Sequence, residues 1–156
     1  MSRRDQIIMS KEEIVSFLKA AKTIILVSNG KDGFSHPMPM WFCVDDDGTI
    51  CMTTFTKSQK VKNLERDPRT SLLVESGIAY EDLKGVVIQS RAEIIRDENT
   101  TAEVMFRVAL QRGDAQPEQK ELIYPELERR AKKRITMRFS PDKIMSWDHS
   151  RLGGTY

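Results

Sequence analysis

The sequence predicts a mainly β, α+β domain, a six-stranded antiparallel sheet or split barrel with peripheral helices. Three observations point there. Short β-branched and apolar runs are joined by turns rich in Gly, Asn and Asp, helical spacing is confined to a few intervening segments, and strands do not alternate with helices as a doubly wound fold requires. The 156 residues make one domain, spanning 1–156, with no repeat or linker. With 39% apolar and 31% charged residues, the chain has the composition of a folded domain with one core.

The elements follow in chain order. Ser10 and Glu13 form the reciprocal pattern of a capping box, and Ile14, Val15, Phe17, Leu18 and Ala21 then share one helical face. Residues 23–28 read as a strand, and 29–33 supply a hairpin turn. The next strand, 34–44, carries Pro37 and Pro39, which cannot donate ladder hydrogen bonds and so mark an edge, a bulge or a ligand site; Met38, Met40 and Phe42 share its other face. A turn at 45–48 leads into a strand at 49–54. A short helix at 57–67 stops before Pro68. Strands at 70–75 and 85–95, a helix at 97–111, a charged helical segment at 117–133 and strands at 134–139 and 144–147 complete the chain.

Composition excludes several functions. A net charge of +2 gives no global field for nucleic acid or a membrane surface, and no run of apolar residues is long enough to cross a bilayer as a helix. Without a secretory apolar region near Met1, a cytoplasmic protein is expected. Cys43 and Cys51 flank a turn; a three-residue loop would set them opposite each other and a four-residue loop would not, and reduced structural thiols are expected. His36 and His149 are the only histidines, so no set of four soft ligands for zinc exists. Phosphate-loop, dinucleotide-fingerprint and nucleophile-elbow motifs are missing, and Asp45 to Asp47 lack the spacing of a calcium loop.

Two segments remain. Thr53, Thr54, Lys57, Ser58, Gln59 and Lys60 stand where a strand end runs into a helix start, where hydroxyls, lysines and free amides can cradle a phosphate. The same residues also suit a strand end followed by a solvated helix face, and spacing alone is compatible with both. The last ten residues concentrate Trp147, Arg151 and Tyr156, a composition that suits a docked tail; Trp147 either seals the core or touches a ligand.

Taken together, His36 to Phe42, Lys57 to Arg69, and Ser146 to Asp148 with Arg151 to Gly154 resemble, in order and spacing, the pyridoxamine 5'-phosphate oxidase-like superfamily of split β-barrel flavin and deazaflavin proteins. The resemblance runs over nearly the whole chain. It implies a homodimer with two cofactor sites in its interface, FMN as cofactor with the deazaflavin coenzyme F-420 as alternative, and hydride transfer to or from a small unsaturated or aromatic substrate. It places Pro37, Met38, Pro39, Met40 and Trp41 along the ring, Thr53 and Thr54 near the ring and ribityl chain, and Ser58, Gln59 and Lys60 at the phosphate. Gln59 stands where the family has Arg, with Lys57 as a replacement cation, and Trp147 and Arg151 reach the partner's cofactor. No catalytic acid or base is implied, and no metal. Phe42 and Gly153 replace the family's substrate-binding Lys and His, which argues against the vitamin B6 oxidase itself and for a less polar pocket lined by Met38, Met40 and Trp41. A non-catalytic binder of flavin, haem or another planar ligand is the alternative on the same barrel.

Overall fold

A computed structural model of the protein describes residues 3–153. The expected antiparallel architecture is present as one curled sheet of seven strands: β1 (Ile24–Asn29), β2 (Ser35–Met40), β3 (Cys43–Val44), β4 (Ile50–Phe55), β5 (Arg69–Ser76), β6 (Lys84–Ile95) and β7 (Arg134–Asp148). Their order is β2-β1-β5-β6-β7-β4-β3. The two edge strands are consecutive in the chain, so the sheet closes on itself through Trp41 and Phe42.

This explains the difference between six expected strands and seven. The segment read as one strand over 34–44 bends at Trp41-Phe42 and pairs with β1 on one side and β4 on the other. Conversely, the runs at 134–139 and 144–147 are one strand. β7 continues past Pro141, opposite Ser90, where the register shifts between Gln89 and Ser90 and the lost donor is absorbed.

Among the described residues five α-helices accompany the sheet. α1 (Arg3–Ile7) was not expected; α2 (Lys11–Ala20) has the capping box, with Ser10 Oγ accepting from the Glu13 amide and Glu13 accepting from the Ser10 amide. α3 (Gln59–Arg66) buries Val61 and Leu64 in the main core beside Leu26, Phe42, Met52, Leu72 and Ile88. α4 (Glu98–Arg112) and α5 (Lys120–Ala131) form a hairpin with its own small core around Phe106 and Leu127. Val104 and Val108 of α4 cover Cys43 and Cys51, which lie directly opposite each other as free buried thiols. Burial pushes the Cys43 thiol up to about 12 and raises Cys51 as well.

The tail docks within its own chain as far as residue 153. Trp147 pairs with Gly85, and its indole fills the space a Cβ there would need, 2.2 Å from the nearest ring carbon. The Lys84 ammonium reaches Asp148 at 2.8 Å, and Arg151 donates to the Ile8 carbonyl and pairs with Glu13. Gly85→Ala is therefore expected to destabilise the fold by about 1–3 kcal/mol through overpacking against Trp147, measured by denaturant unfolding.

Candidate functional site

Strand β4 ends and α3 begins within a few residues, and this junction gathers the polar groups. Thr54 faces inward and is buried, whereas Thr53 lies on the opposite face of β4 and stays outside the cluster. Ser58 is the N-cap residue of α3, but its hydroxyl does not cap the helix; it lies 3.4 Å from Thr54 Oγ1. Lys60 is only 9% exposed and donates from Nζ to Thr54 Oγ1 at 3.2 Å. No carboxylate pairs with it among the described residues. Two hydroxyls and one buried, uncompensated cation thus converge on one point. That donor set suits an anion with several acceptor oxygens, and the residues present fit the phosphate of a ribityl-type cofactor.

A separate polar chain runs along α3 from the neighbouring Gln59. Gln59 Nε2 donates to Asn63 Oδ1 at 2.9 Å, and Asn63 Nδ2 donates to the buried Ser28 hydroxyl at 3.1 Å. Ser28 stands opposite His36 in the β1–β2 ladder. His36, Gln59 and Asn63 line one groove of about 530 Å³ together with Phe34, so the first and second predicted segments meet there. His36 Nδ1 is buried without a partner among the described residues. Lys57 is exposed, and the Arg66 guanidinium is spent on the Asn29 carbonyl. Sequence reading missed Ser28 and Asn63, because their contact is made across the fold and leaves no local pattern.

β2 runs from this groove to Trp41, five residues and roughly 16 Å away. His36, Met38 and Met40 share the half-buried face, while Pro37 and Pro39 are exposed. Met40 packs against the main core, and Trp41, 59% exposed, lies beyond the strand's end with the Arg112 guanidinium stacked 3.4 Å from its ring centroid. The expected pocket of Met38, Met40 and Trp41 is thus not one surface: strand alternation turns the two methionines inward. Arg112 lies one residue beyond the helix expected at 97–111 and is its last residue in the structure.

Trp147 and Arg151 are not brought to the cluster within one chain. Thr54 pairs with Ile135 at the start of β7, and Trp147 lies twelve residues further along, roughly 40 Å of extended chain.

The family model described as "Pyridoxamine 5'-phosphate oxidase" matches residues 10–148, nearly the whole chain. The chain belongs to the pyridoxamine 5'-phosphate oxidase family. A solved structure of a conserved hypothetical protein from Mycobacterium tuberculosis is similar to this family member at 34% identity and a TM-score of 0.88, covering 100% of this chain and 95% of that one. The fold is shared with an F-420 reductase, at 19% identity, TM-score 0.64 and coverage of 83% and 94%, and with the haem storage protein of Vibrio cholerae, at 18%, 0.66, 89% and 96%. No curated protein matches significantly. Among the described residues of this oxidase-family chain, no helix is long and apolar enough to cross a membrane, and no group of His, Cys, Asp and Glu could hold a metal ion.

Burial disfavours the charged form of Lys60 and lowers its pKa from the ordinary lysine value. The folded chain sheds this proton at lower pH than the unfolded chain. The bare protein therefore gains stability as pH rises from the folded value toward the ordinary one, and anion affinity falls over the same interval as the cation disappears. Titration calorimetry with FMN at stepped alkaline pH should show this decline, and Lys60→Met should flatten it.

Proposed function

We propose that the protein is an oxidoreductase dependent on FMN, or alternatively on the deazaflavin coenzyme F-420, that passes hydride to or from a small unsaturated or aromatic molecule. The observation that carries this reading is the buried Lys60 ammonium, left without a carboxylate and flanked by the Thr54 and Ser58 hydroxyls. Family membership supports it.

In this reading Thr54, Ser58 and Lys60 hold the phosphate, with Lys57 as a solvent-screened second cation and Gln59 steadied by Asn63. Pro37 to Trp41 run beside the ring system, and the backbone of a proline-bearing edge strand leaves room for a ligand there. Thr53, on the other face of β4, contributes less than Thr54. The bound cofactor supplies the redox chemistry; the chain's residues orient it, exclude water and hold no proton that the reaction needs. Trp147 near the end of β7 and Arg151 just beyond it lie too far from the cluster of their own chain to reach it, so in this reading the second copy of a homodimer brings them to it.

Two measurements test this. FMN should bind the purified protein and Lys60→Ala should weaken it by about 1.5–3 kcal/mol, the range for a hydrogen bond to a charged group; unchanged affinity for FMN and coenzyme F-420 alike would sink the assignment. Sedimentation should show a dimer; a monomer that binds cofactor at full affinity would remove Trp147 and Arg151 from the site.

A further inference from the structure

We infer that the Trp41–Arg112 pair is a substrate-recognition subsite selecting a planar molecule that carries a carboxylate. The inference rests on the reading of Trp41 as lying beside the bound ring system, and adds a charge requirement to a pocket whose sequence suggested only apolar contacts.

Five observations carry it. The Trp41 indole is 59% exposed at the end of β2, a costly position for the largest aromatic side chain, and the Arg112 guanidinium covers one of its faces. The guanidinium side chain is itself only 20% exposed. Its Nε faces Asp114 at 2.7 Å, but that carboxylate is 54% exposed and screened by solvent, and Nη1 is buried with no acceptor among the described residues. A buried charged N–H without an acceptor is costly, and an incoming carboxylate relieves that cost.

The base of Arg112 is also rigid. The neighbouring Gln111 accepts from the Val44 amide and donates to the carbonyls of Leu18 and Ala21, which ties the last turn of α4 to β3 and α2. Gly113, at φ 80°, then ends the helix and receives no Cβ penalty there. The guanidinium is consequently held beside Trp41 from a fixed point. Its fork matches the two oxygens of a carboxylate, and the indole offers a plane for the ring attached to it.

The test uses benzoate and its neutral isostere benzamide, followed by indole fluorescence of the full chain. Benzoate should change the emission saturably and bind about tenfold or more tightly than benzamide, the size expected of a charge-assisted hydrogen bond. Trp41→Phe should remove the signal. Arg112→Gln should bring benzoate down to the affinity of benzamide, and Arg112→Lys, with the charge but not the fork, should fall between. Equal affinities in the native protein, no saturable response to either probe, or discrimination that survives Arg112→Gln overturns the inference. Should Arg112→Gln fail to fold, the native protein decides through salt: a benzoate preference that does not shrink at high ionic strength overturns it. FMN affinity measured in parallel separates this failure from that of the oxidoreductase reading, since FMN binding depends on Lys60 rather than on Arg112.

Discussion

Closure of the barrel depends on two consecutive residues, Trp41 and Phe42, through which the chain passes from one edge of the sheet to the other. Phe42 is fully buried in the main core, and a buried aromatic of this size contributes several kcal/mol, roughly 3–5 on truncation. Trp41 faces the opposite way, into solvent. One corner thus anchors the barrel and exposes an aromatic plane. The β1–β2 ladder survives two prolines because residues alternate: with His36, Met38 and Met40 supplying its bonds, the nitrogens of Pro37 and Pro39 face the free edge. That edge offers few donors to another strand, which protects it from unwanted pairing.

The same closure creates the conditions for Lys60. α3 packs against the main core through Val61 and Leu64, and Lys60, one turn before Leu64 on the same side of the helix, is carried inward beside Thr54. Burying an ammonium with only hydroxyl partners opposes folding, and the apolar contacts of the adjacent turn offset that cost. Stability is spent locally to keep a cation free of internal carboxylates. The charged residues nearby are otherwise engaged: Asp67 is held well below the usual carboxylate range by hydrogen bonds from Arg69, and Arg66 is bound to the Asn29 carbonyl.

Much of this was legible in the sequence where the determining contacts are local. The Ser10–Glu13 capping box, the stop of α3 before Pro68 and the alternation of β6 all follow from neighbours within a few residues. The bend at Trp41-Phe42 was not legible, because Met40 to Val44 are all apolar, which leaves no break in the pattern, and only the positions of β1 and β4 split it. Pro141 falls between the two strands expected at 134–139 and 144–147, since a missing donor ends most ladders; the register shift in β6 lets one strand run through it. The phosphate-type cluster was legible as composition, but the separation of Thr53 from Thr54 came from the pleat. Arg112 over Trp41 left no trace in the sequence, since the two residues meet only after α4 packs on the sheet.

Cys43 and Cys51 sit face to face beneath Val104 and Val108, with α4 held at one end by the Thr101 and Thr136 hydroxyls and at the other by Gln111. Cys43 lies beneath that helix and must wait for it to lift before an electrophile reaches the sulfur, whereas Cys51 also lines a groove beside Arg107 and Arg138. Cys43 therefore works as an internal clock for the detachment of α4, and its labelling rate reports how often the Gln111 anchor leaves the sheet without the whole molecule unravelling.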